Sequence, residues 1–324
     1  MKRIKKYQFV TSSFFLGIFL ILYYISALFI PVENSERWIP ALIGFLDFES
    51  LTKFVSICLG TIFMVFTAIS LHFFNERNLL IGKSGVLLPV VYLIFALSTP
   101  KTIYFSGVSV ASLFVVWSIY YSLFTRKGDK ELFISGFLIS LAALFDPHIT
   151  LLIPFILFYS LRFAGVTPRS VAVILGSILV PFAFMFSIRY LFFEDALFFG
   201  DIYLTDLKSI YYPSLSLKNV ADIVLTLSLF IYLCFAISYA LKNINRYKIL
   251  KSNSFSRFIS MLIFTSFIVF FYPQSGEGLT QIIVIPVSVL VVEYVSSTEK
   301  PTRKRIGYLL ILIFLSISRV ASFI

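Results

Sequence analysis

Long runs of apolar residues, separated by short polar breaks, recur along the whole chain and restrict its fold more than any other feature. A bilayer core of about 30 Å requires about 20 mainly apolar residues per helix. Hydrophobic residues make up 59% of the chain and charged residues 13%. In a soluble domain, roughly 45–50% of the residues are hydrophobic and about 25% are charged. Because a soluble core cannot bury such an excess, the sequence predicts an all-α, polytopic transmembrane helix bundle that forms a single integral membrane domain over residues 1–324.

The apolar runs predict about eleven membrane-spanning helices. Their predicted limits are 8–31, 54–74, 84–98, 102–124, 132–145, 149–163, 171–191, 219–241, 258–272, 280–296 and 306–322. The first run follows a basic N-terminus, but it is longer than the apolar core of a signal peptide, about 7–15 residues, and no small-residue cleavage site follows it. We therefore expect a retained signal anchor.

The distribution of charge predicts the orientation of the spans. With the N-terminus in the cytoplasm, 20 of the 27 Lys and Arg residues fall in cytoplasmic segments and 11 of the 16 Asp and Glu residues fall outside. Loops rich in Lys and Arg stay on the cytoplasmic side. We therefore expect a multi-pass membrane protein with its N-terminus in the cytoplasm and its C-terminus on the outer face. Anionic lipids of the inner leaflet account for the net charge of +11, so a nucleic acid partner is not expected.

Two predicted spans are too short to cross the bilayer, and an ionisable pair lies between them. Segments 132–145 and 149–163 would reach about 21–23 Å at 1.5 Å per residue, and Asp146-Pro147-His148 joins them. The pattern does not distinguish a full crossing from a re-entrant hairpin. Ionisable groups at membrane depth usually have a function. The alternative is structural, because Asp is a favoured N-cap and Pro is favoured in the first turn of a helix.

Several other polar features lie on the predicted outer side. Segment 258–272 is also short and leads into the polar stretch 273–278, which suggests an outward-open cavity with a polar floor. Lys101 and Arg189 stand at outer helix ends, where they either reach the lipid headgroups or hold a substrate phosphate. Arg319, near the end of the last span, is interpreted in the same way.

Both long connections, 32–53 and 192–218, also lie outside. The first contains Asp47, an acidic side chain that is a candidate base or a solvated loop residue. The chain has no H-E-x-x-H, G-x-S-x-G, P-loop or CxxC motif, and its two cysteines lie within apolar runs. We therefore expect neither a metal nor another cofactor.

Two short segments carry a family resemblance. Residues 136–147, GFLISLAALFDP, resemble a region of an uncharacterised family of polytopic inner-membrane proteins from Bacteroidota, and residues 176–182, GSILVPF, are similar to a second region. The length of the chain and its number of predicted spans also agree with that family. The family has no established activity, so the resemblance implies only an architecture and a location, the bacterial inner membrane with its outer face toward the periplasm.

The overall plan more distantly resembles that of membrane-embedded GT-C glycosyltransferases and lipid-linked glycan polymerases. This resemblance implies a polyprenyl-phosphate-linked saccharide as a partner, besides membrane lipids, and a carboxylate that acts as general base. We therefore hypothesise an envelope glycan-assembly protein in which Asp47 or Asp146 is the base, His148 assists proton transfer, and Lys101 and Arg189 bind the donor phosphate. The alternatives are a transporter or flippase for lipid or a small solute, and a non-catalytic envelope scaffold.

Overall fold

The chain folds into packed α-helices throughout its described part, which confirms the all-α prediction. The computed structural model describes residues 16–26, 28–29, 53–78, 81, 86–98, 100–124, 128–192, 200–201, 204, 220–271, 273–296 and scattered positions between 306 and 319. Regular structure in these residues is helical, without a strand.

The helices are numbered here in chain order. They are α1 (Lys53–Asn78), α2 (Leu87–Ala96), α3 (Gly107–Phe124), α4 (Asp129–Phe145), α5 (Ile153–Ala164), α6 (Pro168–Phe192), α7 (Val220–Asn243), α8 (Ile249–Phe271) and α9 (Pro273–Ser296). Short 3-10 helices lie at Pro100–Ile103, Pro147–Leu152 and Ile244–Arg246. Residues 16–26 and several positions between 306 and 319 are also helical.

Five of the described helices are long and apolar enough to cross a membrane. They contain the segments Lys53–Arg77, Pro168–Phe192, Leu227–Arg246, Lys251–Val269 and Leu279–Ser296. Other apolar helices in the described part are shorter, at Leu16–Ser26, Leu87–Ala96, Gly107–Leu123 and Pro147–Arg162. The five long helices mark the chain as a membrane protein. The total of eleven spans and the orientation of the termini stay predictions.

The outer surfaces of α6 and α7 have the character of lipid-facing helices. Leu179 and Phe184 on α6 are 64% and 68% exposed, and Phe230 and Phe235 on α7 are 64% and 58% exposed. Large apolar side chains that cover a whole helix face are unusual against water, whereas lipid tails are as apolar as leucine. These two helices therefore lie at the periphery of the bundle.

The prediction of a span over 84–98 is wrong in extent. The helix there, α2, has 10 residues and is about 15 Å long at 1.5 Å per residue. Most of its side chains are buried, and α1 and α9 pack against it. The chain then forms a 3-10 helix that begins at Pro100, and α3 begins only at Gly107. Since proline disfavours a helical residue before it, the apolar run is interrupted and α2 is a core helix.

The limits predicted for the segments around Asp146 were too narrow. Helix α4 has 17 residues rather than the 14 of 132–145, and it begins at Asp129. The segment predicted as 149–163 begins instead with the 3-10 helix Pro147–Leu152 and continues as α5. Whether this pair of helices crosses fully or forms a re-entrant hairpin stays open.

The predicted start of α8 was also wrong, and the polar stretch after it is helical. Helix α8 begins at Ile249 rather than at residue 258, so Arg257, which the charge count placed in a cytoplasmic loop, lies inside a helix. The stretch 273–278 forms the first turns of α9, with Pro273 at the first helical position, where proline is tolerated because its N–H would be unpaired anyway. The expected cavity floor at 273–278 is therefore helical.

Helices α4 and α6 approach closely along small residues. Gly136 and Ser140 are four residues apart on α4, and small residues at this spacing predict close packing of membrane helices. A Cβ added at Gly136 would lie 2.0 Å from Ser177 Oγ on α6, so a larger residue would force the Ser177 side chain to move. Ser140 Oγ donates a hydrogen bond of 2.6 Å to the carbonyl of Ile178. Close contact at glycine and serine is the usual means by which membrane helices associate.

Candidate functional site

Asp146 and His148 form a largely buried carboxylate–imidazole pair, called the dyad below, where α4 ends and the 3-10 helix Pro147–Leu152 begins. Asp146 Oδ1 lies 2.9 Å from His148 Nδ1. The two side chains are only 7% and 12% exposed. The structure therefore brings together two of the residues predicted for the site, and it does so away from bulk solvent.

The local sequence explains how the dyad forms. Helix α4 ends at Phe145, and Asp146 adopts an extended backbone conformation. Its side chain then accepts a hydrogen bond of 2.9 Å from the backbone N–H of His148, with Pro147 in the first turn of the 3-10 helix. The capping role that was the alternative for Asp146 is thus confirmed. Capping and contact with the imidazole ring coexist, because the same oxygen serves both.

The donor and acceptor roles within the dyad depend on the tautomer of the imidazole ring. An ionised carboxylate can only accept, so in the neutral imidazole the proton lies on Nδ1 and Nε2 becomes the proton acceptor. The carboxylate also stabilises the imidazolium that forms when Nε2 takes up a proton. This arrangement can act chemically as a general base on a hydroxyl group.

A small pocket opens beside the imidazole ring. His148 lines it together with Ile149 and Leu152 from the 3-10 helix, Thr265 and Ile268 from α8, and Leu279 and Ile282 from α9. Its volume of about 10 Å³ is enough for about one water-sized group, far less than a typical ligand pocket holds. The lining is mostly apolar, so the pocket fits one small group of a substrate rather than a whole saccharide.

The register of α4 and α6 places Arg189 level with the dyad. Successive contacts pair Gly136 with Ser177 and Leu144 with Met185, so the two helices run in parallel. Arg189 follows Met185 by one turn and lies in the last turn of α6, while His148 follows Leu144 by the same number of residues. The two positions therefore stand at one end of the helix pair.

The structure gives less information about the other two predicted site residues, Lys101 and Asp47. Lys101 lies in the 3-10 helix Pro100–Ile103, which follows α2. Asp47 lies outside the described residues. Within those residues, no group of three or more His, Cys, Asp or Glu side chains could hold a metal ion.

A second buried polar region, which we call the core polar cluster, was not predicted from the sequence. Its members come from α1, α2, α3, α9 and the 3-10 helix after α2, and they are Thr67, Tyr92, Thr102, Ser109, Ser112 and Gln281. Each of these residues is at most 4% exposed. Serine and threonine occur so often in apolar runs that their hydroxyl groups do not indicate such a cluster. The sequence feature that could have indicated it is the amide of Gln281, near the start of the tenth predicted span.

The position of the Arg319 side chain contradicts another prediction. Its side chain was expected to reach the lipid headgroups or a phosphate, but the residue is 5% exposed. Nη2 donates a hydrogen bond to the carbonyl of Leu97, the C-cap of α2, and the guanidinium lies 4.3 Å from the centre of the Tyr23 ring. A cation at a helix C-terminus interacts favourably with the helix dipole, so Arg319 stabilises the end of the short core helix.

Arg257 has a similar role at another place in the core. It is 3% exposed and donates hydrogen bonds of 2.7 Å to the carbonyl of Ser122 and 3.3 Å to that of Tyr159. These carbonyls belong to the C-terminal halves of α3 and α5. The guanidinium also lies 5.0 Å from the centre of the Tyr159 ring. Arg257 therefore joins three helices, which the sequence alone did not indicate.

Comparison with known proteins identifies the family but not an activity. A model of a family of unknown function (DUF6427) matches residues 12–323. Since the match covers nearly the whole chain, the protein belongs to this family. The comparisons with curated proteins and with solved structures find no match.

Proposed function

We propose that this member of the DUF6427 family is an envelope glycan-assembly protein of the bacterial inner membrane, which acts on a polyprenyl-linked saccharide at the outer face. The observation that carries the proposal is the buried dyad, with 2.9 Å between Asp146 Oδ1 and His148 Nδ1. A hydrogen-bonded carboxylate–imidazole pair is well suited to remove a proton from an acceptor hydroxyl.

In this proposal each predicted site residue has a distinct role. His148 Nε2 takes the proton of an acceptor hydroxyl that enters the small pocket, and Asp146 orients the ring and stabilises its charged form. Arg189, level with the dyad, binds the phosphate of the lipid-linked donor, which leaves as the glycosidic bond forms. Lys101 is a second candidate phosphate ligand, and Asp47 is the alternative base. The resemblance in plan to GT-C enzymes supports the same substrate class by analogy.

The outer-face location rests on the charge distribution. With a cytoplasmic N-terminus and the predicted eleven crossings, the segment that contains the short helix α2 counted among them, the end of α4 and the last turn of α6 both face the periplasm. Polyprenyl-linked saccharides are amphipathic, so their phosphate would lie near the headgroups while the lipid tail remains in the hydrocarbon beside the exposed apolar faces of α6 and α7.

The direct test is to compare lipid-linked saccharides in cells with and without the gene. We expect a saccharide to accumulate on its carrier lipid when the protein is absent. Cells that carry Arg189→Ala should accumulate the same intermediate, because loss of a phosphate contact weakens donor binding.

Arg169→Ala is the matched control for that experiment. Arg169 lies near the opposite end of the same helix, is 81% exposed, and pairs with Asp129 at 2.5 Å. Exposed ion pairs contribute little to stability, so this variant should restore wild-type lipid profiles. Unchanged carrier-linked saccharides in the strain without the gene would reject the proposed function.

Transport is a second candidate function, and one observation favours it. The helical run after residue 86 is broken between α2 and α3, and the core polar cluster lies at that break. Transporters commonly bind solutes at discontinuous helices near the bilayer midplane. The core helix α2 and its unwound continuation fit that description.

Labelling of an introduced cysteine distinguishes the two functions. His148→Cys would be made in a background with Cys58→Ala and Cys234→Ala, and treated with a membrane-impermeant reagent. We expect labelling from the outer side only, because the dyad is proposed to serve an outer-face reaction. Labelling from either side, depending on solute or potential, would support transport instead. Protection from both sides would favour a scaffold.

A further inference from the structure

A narrow cleft, called the α1–α3 cleft below, lies between α1 and α3 near the end of both helices. The two helices run in parallel, because Thr67 contacts Ser112 and, farther along both helices, Arg77 contacts Tyr120. The side chains that line the cleft include Phe73 and Arg77 on α1 and Trp117 and Tyr120 on α3. Its volume of about 20 Å³ admits about one oxygen-sized group of a ligand, so the rest of that ligand must remain outside.

An aromatic cluster holds Arg77 at this cleft. Arg77 Nη1 donates a hydrogen bond of 3.0 Å to the Tyr120 hydroxyl. The centre of the Tyr120 ring lies 5.3 Å from that of Phe74 and 5.5 Å from that of Trp117, both in edge-to-face contact. Phe74 is only 3% exposed, so the tyrosine is anchored in the core. The guanidinium is therefore oriented before a ligand arrives, which lowers the entropy that binding costs.

The polar groups available at the cleft are hydrogen-bond donors. A guanidinium and an indole can only donate. In the described part of the chain, the Tyr120 hydroxyl is the hydrogen-bond partner of Arg77, and the Trp117 indole N–H has none. The Ser70 hydroxyl, which also lines the cleft, donates to the carbonyl of Phe66 at 2.8 Å. A ligand that satisfies Arg77 and Trp117 together must therefore be an acceptor, and a guanidinium favours a charged one.

The neighbouring charges agree with an anionic ligand. Glu76 precedes Arg77 in the chain, but its carboxylate lies 3.4 Å from Nε2 of His72. Neither residue is among those that line the cleft, and none of the lining residues carries a carboxylate. The cleft thus offers no partner to the cationic group of a zwitterionic headgroup, which would lie beside a guanidinium of the same sign.

An exposed apolar strip, called the α1 strip below, leads along the same helix to Arg77. It consists of Ile62, Phe66, Ile69 and Phe73, whose exposed fractions lie between 45% and 59%. Residues three and four apart share one helix face, and Arg77 follows Phe73 by four residues on that face. At 1.5 Å per residue the strip is about 16 Å long, about half of a bilayer core of about 30 Å. It therefore matches the hydrocarbon of one leaflet.

We propose that the α1–α3 cleft and the α1 strip form a binding site for one anionic phospholipid. A phosphate oxygen enters the cleft and accepts hydrogen bonds from Arg77 and Trp117, while an acyl chain lies along the strip. Arginine suits phosphate because its planar group donates paired hydrogen bonds, and tryptophan is enriched at the level of the headgroups. The predicted orientation places this end of α1 in the cytoplasmic leaflet, whose surface is negatively charged.

Native mass spectrometry of the detergent-solubilised protein tests this site. With phosphatidylglycerol in the micelles, we expect one lipid to be retained, and phosphatidylcholine with the same acyl chains to bind about tenfold more weakly. Arg77→Ala should lower the affinity for phosphatidylglycerol by about tenfold, as expected for the loss of a hydrogen bond to a charged group. Arg169→Ala is the matched control, since it removes another exposed arginine, one that pairs with Asp129. Wild-type affinity in Arg77→Ala, or equal affinity for the two lipids, would overturn the proposal.

Trp117→Phe distinguishes a defined site from simple attraction between an arginine and the headgroups. The variant keeps a ring against Tyr120 and removes the indole N–H, so the affinity for phosphatidylglycerol should fall by about two- to tenfold. Its Tm in lipid-free detergent should equal that of the wild type, which makes this test independent of any effect of Arg77→Ala on folding. Wild-type affinity in Trp117→Phe would reduce the site to a charge at a helix end and contradict the cleft.

The contribution of the acyl chain is tested in two ways. Phe73→Ala should weaken phosphatidylglycerol binding more than Phe184→Ala, which shortens a side chain that is 68% exposed on α6 and lies outside the α1 strip. Inorganic phosphate at the concentration of the lipid should not displace it, because free phosphate has no chain to place on the strip. Displacement by inorganic phosphate would identify a site for a free anion and overturn the assignment to a lipid.

Discussion

Asp146→Asn is expected to lower glycan transfer by about 10²–10⁴-fold while leaving the protein folded. Asparagine is as good an N-cap as aspartate, so its side-chain oxygen can still accept the backbone N–H of His148. A neutral amide, however, neither stabilises an imidazolium nor ensures that Nδ1 carries the proton. The substitution therefore separates the capping role of Asp146 from its proposed catalytic role.

The measurement is the rate at which carrier-linked saccharide is consumed in cells that express each variant at equal levels in the membrane. Asp129→Asn is the matched control, because Asp129 begins the same helix, α4, and its ion pair with Arg169 is exposed. It should retain wild-type activity. If Asp146→Asn has wild-type activity, the dyad does not act in the mechanism. If only Asp47→Asn loses activity, Asp47 is the base.

Gly60→Ala is expected to have the largest effect on stability, with a loss of about 3 kcal/mol or more in the free energy of unfolding. A Cβ at this position of α1 would lie 2.2 Å from the carbonyl oxygen of Ile103 and 2.8 Å from the carbonyl carbon of Tyr104. Both are backbone atoms, which cannot move aside as a flexible side chain can. The same contact holds the chain after α2, where the Phe105 N–H donates to the Ser56 carbonyl at 3.1 Å.

The check is the apparent Tm and the yield of folded protein after solubilisation in detergent. Gly176→Ala provides the comparison, since Gly176 lies within α6 and a Cβ there would have no neighbour within 4 Å. Alanine is favoured over glycine in a helix by about 1 kcal/mol, so this variant should be as stable as the wild type or more so. Equal Tm values for the two variants would show that α1 does not depend on its approach to residues 103–105.

Some of the candidate site could be predicted because its interactions are local. Asp146 and His148 are two residues apart, and the tendency of Asp to cap a helix with Pro in its first turn follows from short-range geometry. Their direct contact is an extension of that cap. The spacing of Gly136 and Ser140 likewise indicated close helix packing, although it did not identify α6 as the partner.

The remaining features depend on contacts between distant parts of the chain. Arg319 contacts the end of α2 across 222 residues, so no local pattern distinguishes it from an arginine that reaches the headgroups. The predicted extent of the helix over 84–98 failed for a related reason. An apolar run has the same composition whether it faces lipid or other helices, and only its neighbours decide which.

By itself, the sequence determined that the chain belongs in hydrocarbon, because composition alone shows which solvent the side chains prefer. It also determined that the chain is helical, because a backbone in lipid must satisfy its hydrogen bonds within each segment. The tertiary structure decided which apolar helices form the core and which polar groups meet there. Gln281 and Thr102 are 179 residues apart, and their contact follows from the packing of whole helices, which no local stretch of sequence specifies.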